Sequence, residues 1–292
     1  MKKLQNFLEY YALSAFASLI RLFPLSVGRF AARRLADIAF YFVPIRKKHI
    51  ITSLSLAFSG KTAKEILEIT HRVYTQFALT MMELIYFPKL SAKDIAGMVK
   101  IENPGLLKEI HDRGKGAVFV GAHFGNWELM GAALAQIYPV TFVVGKQENK
   151  KADDLLNSYR LQKGIKIVPL KMALRGVMKT LKANEFVAIL ADQDAHEDGV
   201  FVNFFGRPAS TPKGPALFAL RARCPLVMGH IFREDGGFRV LFEEIPMLET
   251  GDENQKIEHY TRLFTALLEK HTRDHPDHWF WFHRRWKTKP PS

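Results

Sequence analysis

Ala117-Val118-Phe119-Val120-Gly121-Ala122-His123-Phe124-Gly125-Asn126-Trp127-Glu128 joins a strand-like run to a helix start through a short glycine-bearing turn. Four consecutive apolar residues, 117–120, are what a strand buried on both faces requires. Gly121 and Gly125 give the turn backbone freedom. Asn126 is suited to cap the helix that follows, from about 126 to 137, with Glu128 in its first turn. Outward from this unit the same alternation recurs. Strand-like runs fall at Val140–Val144, Ile165–Val168, Phe186–Leu190, Leu226–Phe232 and Phe238–Phe242, with helical stretches near 153–163, 174–183 and 215–223 between several of them, and a last helix near 255–271. The pattern predicts an α/β sandwich: a mixed, largely buried sheet flanked by helices.

Upstream, residues 61–100 read as helical, and the first 45 residues have a different character. Leu, Phe, Tyr and Ala are interrupted there by Glu9, Arg21, Arg29, Arg33 and Arg34. The longest uncharged run, Tyr10 to Ile20, is shorter than the roughly 20 residues needed to span a bilayer. Lys2-Lys3 and Ala15-Phe16-Ala17 outline a signal peptide, but Gln5, Asn6 and Glu9 break its apolar region. An interfacial helix whose arginines meet lipid phosphates fits better; an amphipathic helix packed on the domain is the alternative. The expected division is a membrane-associating helical segment, 1–45, and an α/β domain, 46–292.

Composition narrows the partners. Apolar residues make up 48% and charged residues 24%, which describes a folded chain rather than a disordered one. Forty-two basic against 29 acidic residues leave a net charge of +13, which attracts anionic lipid, nucleic acid or acidic protein. The single cysteine, Cys224, forms no intrachain disulfide and reads as a buried small hydrophobe.

The chemistry centres on His123 and Glu128. A spacing of five does not place two side chains on one helical face, but His123 in the turn and Glu128 in the helix can still meet. A carboxylate on one imidazole nitrogen fixes the tautomer and leaves the other nitrogen free as a base. The competing structural reading is a histidine at a helix end and a glutamate favoured by the macrodipole.

Gly121 to Glu128 resembles the His-x4-acid block of the late lipid A biosynthesis acyltransferases, the lauroyl and myristoyl type, within the lysophospholipid acyltransferase superfamily. The resemblance continues through Ser158-Tyr159-Arg160-Leu161, Leu190-Ala191-Asp192-Gln193-Asp194, Phe204 to Thr211 and Trp281 to Thr288. Asn149-Lys150 and Lys146 depart from the usual family residues. The resemblance implies transfer of a fatty acyl group from acyl carrier protein to a hydroxyl of a lipid A precursor, at the cytoplasmic face of the inner membrane. It implies His123 as general base held by Glu128, with Arg160, Asp192 and Asp194 binding substrate. An enzyme acting on another glycolipid or phospholipid is the alternative; an anionic-lipid or nucleic-acid binder without catalysis is the rival from another class, and the apolar N-terminus argues against nucleic acid.

No cofactor is expected, because acyl transfer from a thioester needs none. Asp192, Asp194, His196 and Asp198 do not match a full calcium-loop pattern. Histidines 271, 275, 278 and 283 lack a ligand spacing and suggest a surface or interface role, so no metal is expected. The C-terminal run Trp279 to Lys287 has the composition of a headgroup-level aromatic belt.

Overall fold

The computed structural model describes residues 11, 14–146, 149–248 and 250–291. Its strands are β1 (Val99–Ile101), β2 (Ala117–Gly121), β3 (Val140–Val144), β4 (Ile165–Pro169), β5 (Phe186–Leu190), β6 (Val200–Phe204), β7 (Arg207–Thr211), β8 (Leu226–Glu234) and β9 (Gly237–Ile245). Seven of them form one sheet in the order β1-β9-β8-β2-β5-β3-β4, while β6 and β7 form a separate hairpin. Every neighbouring pair in the large sheet is parallel except β8 and β9.

All five residues of β2 are buried. Their alternation divides the core into two layers. Val118 and Val120 join the apolar cluster on one face, and Ala117 and Phe119 join the cluster on the other. The six strand-like runs of the sequence are all strands here, and the α/β sandwich with a mixed sheet is the observed architecture.

The described part of α1 covers residue 11 and residues 14–20. The helices that follow are α2 (Leu25–Tyr41), α3 (Lys47–Ala57), α4 (Ala63–Tyr86), α5 (Ala92–Met98), α6 (Pro104–Asp112), α7 (Trp127–Ala135), α8 (Lys150–Gln162), α9 (Ala173–Lys182), α10 (Gly214–Ala222) and α11 (Glu253–Asp274). The single helical stretch expected over 61–100 is divided. Helix α4 starts at a Thr62–Glu65 capping box and ends at Tyr86, because Pro88 offers no backbone donor to continue it. A second box, Ser91 with Asp94, starts α5.

Helix α2 packs on the domain through Gly28, Ala32, Ala36 and Phe40. Gly28 permits that approach, since a Cβ there would lie 2.6 Å from the Tyr86 ring. The opposite face of α2 leaves Phe30, Leu35, Ile38 and Tyr41 exposed, and Phe42, Val43 and Ile45 continue it. Among the described residues, no helix is long and apolar enough to cross a membrane. The features noted at Lys2-Lys3, Gln5, Asn6, Glu9 and Tyr10 lie outside the described residues.

The C-terminal run corrects its sequence reading. Trp279, Trp281 and Arg285 are all buried, not displayed at a surface. The indoles pack against Phe204 and Phe205. Arg285 donates to the Ser210 carbonyl and the Thr211 hydroxyl, so its charge is solvated by protein rather than by lipid phosphate. His271 and His278 are buried as well.

Candidate active site

The parallel register of β2 and β5 assembles the centre. Gly121 pairs with Leu190 at the carboxyl ends of these strands. His123 and Asp192 each lie two residues beyond that pair, and so emerge side by side. Open α/β sheets place ligand sites beyond the carboxyl ends of their strands. His123 Nδ1 lies 2.9 Å from Asp192 Oδ1, and the His123 backbone N–H donates to Asp192 Oδ2 at 3.0 Å. Trp279 Nε1 donates to the same Oδ2 at 3.0 Å. Asp192 therefore meets donors on both oxygens while 3% exposed.

Burial pushes the imidazole's pKa down, but the charge and hydrogen bond of Asp192, aided by Glu128, outweigh it and hold His123 above its ordinary 6.5. For Asp192, burial raises the carboxyl and the His123 and Trp279 contacts more than offset it, so its pKa is lowered. Nδ1 bonded to a carboxylate carries the proton, which leaves the lone pair on Nε2.

The turn is held from three sides. Asn126 caps α7 by accepting from Leu129 N–H at 3.1 Å, as expected, and donates from Nδ2 to Glu83 at 2.8 Å. Glu83, buried on α4, also receives Arg29 and a two-pronged contact from Arg233. The chain's C-terminal segment runs along the turn: Gly125 N–H donates to the His278 carbonyl and Phe280 N–H to the His123 carbonyl. Gly125 has φ +58°, and a Cβ there would meet the Ile231 carbonyl oxygen at 2.2 Å. Trp127 meets the imidazole edge-on, with ring centroids 4.9 Å apart.

Glu128 lies in the first turn of α7, as the sequence predicts, but its partner is not His123. Its two oxygens receive Nε and Nη2 of Arg160, the former at 3.0 Å, and both side chains are nearly enclosed. The five-residue spacing is the cause. It turns Glu128 toward α8, while Asp192 arrives from the adjacent strand to occupy Nδ1. The imidazole's carboxylate partner is thus corrected from Glu128 to Asp192.

His123, Glu128 and Arg160 line one cavity of about 610 Å³. Its remaining wall is mainly apolar and includes Leu134, Phe142, Leu190 and Phe242. Asp194 is not among the lining residues. Its side chain accepts from Thr288 N–H at 3.0 Å, Thr288 Oγ1 at 2.7 Å and His196 N–H at 3.0 Å, which anchors the C-terminal segment. Burial raises the Asp194 carboxyl, but the Thr288 contacts outweigh it and keep the pKa low. Nearby His283, pushed down to about 4 chiefly by burial, is neutral and accepts from Asp194 N–H at 2.8 Å.

Glu83, Arg233, Trp279 and His283 were not singled out by the sequence as parts of this framework. The aromatic and basic run from Trp279 to Lys287 was the available signal for Trp279 and His283. Nothing local marks Glu83. Among the described residues, the one convergence of three metal-capable side chains is His230, Glu243 and His271.

A family model described as bacterial lipid A biosynthesis acyltransferase matches residues 1–288. The phosphatidylinositol mannoside acyltransferase of Mycobacterium tuberculosis H37Rv is 29% identical over 182 residues, covering 59% of this chain and 55% of that protein. The chain thus spans about half the length of this mycobacterial relative. The lipid A biosynthesis palmitoleoyltransferase of Escherichia coli K12 is 24% identical over 276 residues, covering 91% of this chain and 87% of that protein. The lauroyltransferase of the same organism is 24% identical over 263 residues, covering 88% and 84%.

Proposed function

This chain belongs to the bacterial lipid A biosynthesis acyltransferase family, and we propose that it transfers a fatty acyl group from acyl carrier protein to a hydroxyl of a lipid A precursor, with His123 as general base. The observation that carries the reading is His123 at the wall of a mainly apolar cavity, with its Nδ1 held from behind by the buried Asp192. His123 Nε2 takes the proton from the acceptor hydroxyl as the oxygen attacks the thioester carbonyl. The tetrahedral intermediate collapses with cleavage of the C–S bond, and the imidazolium returns the proton to the departing thiolate. Asp192 acts through His123 by fixing its tautomer and stabilising the imidazolium, in the manner of the third member of a hydrolase triad. A base so placed typically contributes about 10²–10⁴ in rate.

Glu128 and Arg160 act as a unit. The carboxylate holds the guanidinium in one orientation beside the cavity and adds negative field at His123. Arg160 is then pre-set to meet an anionic group of the donor or acceptor. The apolar wall receives the acyl chain, each buried methylene contributing about 0.8 kcal/mol. Asp194 serves the site by anchoring the chain's C-terminal segment.

A charge of +13 favours both an acidic carrier protein and an anionic glycolipid. The outward face of α2, apolar with Arg33 and Arg34 alongside, suits attachment to the cytoplasmic face of the inner membrane without a span. A mannosylated phosphoinositide is the second acceptor reading, favoured by the mycobacterial relative. Mass spectrometry of lipid extracts from cells expressing active or His123→Ala protein separates the two. An acyl mass increment on a lipid A species supports the first reading. The increment on a phosphoinositide mannoside transfers the assignment to the second, and its absence from every glycolipid refutes both.

A further inference from the structure

His230 on β8, Glu243 on β9 and His271 on α11 come from three elements, yet their ligating atoms all lie within 4.8 Å of one another. His230 is the anomaly. Its ring is 1% exposed, and neither nitrogen has a hydrogen-bond partner. A neutral imidazole carries one N–H donor and one lone pair, so both capacities go unmet. Buried polar groups without partners are rare in native proteins and call for a physical cause. Rings surround it: Phe124 edge-on at 5.4 Å, Phe232 stacked at 6.2 Å and His271 at 4.2 Å between centroids. Glu243 Oε2 lies 3.9 Å from His230 Nδ1, too far for a hydrogen bond, and 2.6 Å from His271 Nε2. Lys270 approaches the other oxygen, Oε1, at 3.7 Å, which leaves Oε2 to the histidines.

We propose that His230, Glu243 and His271 bind a divalent transition metal, zinc by the chemistry of the donors, in a structural site that fastens α11 to the β8–β9 hairpin. Two imidazoles and one carboxylate are a zinc ligand set, completed to four by water. Zn–N and Zn–O bonds of about 2.0–2.1 Å in a tetrahedron set neighbouring ligand atoms roughly 3.3 Å apart. The observed 3.9 and 2.6 Å lie on either side of that value and the third separation is within 4.8 Å, so side-chain rotation would be needed to bring the three to bonding distance. Because the three ligands sit on separate elements, no sequence spacing announces them. None of the three lines the cavity that His123 faces, although a set of three protein ligands and one water is otherwise typical of open sites; Phe124, the residue after His123, packs its ring against His230, so the metal would brace the framework behind the catalytic turn rather than enter the reaction.

The test uses full-length protein without a polyhistidine tag, stripped with chelator, dialysed, and titrated with Zn²⁺ and with Co²⁺. The wild type should take up one equivalent per chain, and Co²⁺ should develop the visible absorption of a four-coordinate site. With free Zn²⁺ at about 100 times Kd, Tm should rise by roughly 5 °C or more. Glu243→Gln and His271→Gln should each lose the bound equivalent and the Tm response. His230→Phe supplies a control that folding failure does not confound, because it replaces an unmet imidazole with a ring of similar size in an apolar shell. It should fold and be indifferent to Zn²⁺. Wild-type protein that binds no stoichiometric metal and has a Tm unmoved by Zn²⁺ overturns the proposal. Equal metal uptake by the wild type and all three variants also overturns it, since the metal would then lie elsewhere.

Discussion

Asp192→Asn changes one atom of a buried carboxylate and, by the geometry, moves a proton across the imidazole of His123. Asp192 Oδ2 accepts two N–H groups, the His123 backbone and Trp279 Nε1, both at 3.0 Å. Oδ1 faces His123 Nδ1 at 2.9 Å. Asparagine has one oxygen, and the two donors fix it at the Oδ2 position. Its NH₂ then faces Nδ1, which must become an acceptor, and the ring proton shifts to Nε2. The base is lost although the backbone need not move. The equivalent wrong-tautomer change in a serine hydrolase lowers kcat about 10⁴-fold. We expect a loss of about 10³–10⁴ in kcat here, on the order of 4–5.5 kcal/mol of transition-state stabilisation, with KM little changed.

The assay is acyl transfer from acyl carrier protein to a lipid A precursor in mixed micelles, measured across pH. The base works only when neutral, and His123 is held above 6.5, so wild-type kcat/KM should climb with pH through a limb above 6.5. In Asp192→Asn the raising partner is gone and burial remains, so the limb of any residual activity should move below 6.5. Stability follows the same linkage with its own signs. The raised His123 contributes below its unfolded pKa and loses that contribution as pH rises through the folded value. The lowered Asp192 contributes above its unfolded pKa and loses it as pH falls through the folded value. The pair therefore stabilises most between roughly pH 4 and 6.5. A variant that keeps kcat within about tenfold of wild type would refute the tautomer argument.

Four further substitutions, two of them combined, probe the framework. Glu83→Ala strands Arg233 and frees Asn126 from its anchor, so urea denaturation should register a loss of about 3–5 kcal/mol; a change under about 1 kcal/mol would remove Glu83 from the framework. Arg160→Ala leaves Glu128 enclosed and unpaired, and adding Glu128→Gln should recover part of the lost stability. The coupling energy is expected at roughly 0.5–3 kcal/mol in a double-mutant cycle, whereas strict additivity would deny the pair. Gly125→Ala forces a side chain into φ +58°, costing about 1–2 kcal/mol before its clash with the Ile231 carbonyl is counted. Its Tm and single-turnover rate should both fall, and a wild-type Tm would show that the turn relaxes freely.

Local signals were legible where one segment contains its own explanation. The run at 117–120, the Asn126 cap and Glu128 in the first helical turn are of that kind. The partner of His123 is not. It depends on β5 lying beside β2 in a register that aligns Leu190 with Gly121, and strand adjacency is written in no single stretch. Proximity in the sequence therefore points to a glutamate five residues away and not to an aspartate 69 residues away. The aromatic, basic C-terminus failed for another reason. Its composition suits a lipid headgroup layer and a core equally well, until Ser210 and Thr211 are seen to take the two terminal nitrogens of the buried Arg285. The break after Tyr86 follows from Pro88, which the helical periodicity on either side masks.

The most direct measurement of the central claim is single-turnover acyl transfer by purified wild-type and His123→Ala protein, with product identified by mass and folding checked by Tm. The account predicts that His123→Ala still folds cooperatively, with a Tm lowered by the loss of Asp192's partner, and loses at least about 10³-fold in rate. Transfer at the wild-type rate by folded His123→Ala protein would contradict it.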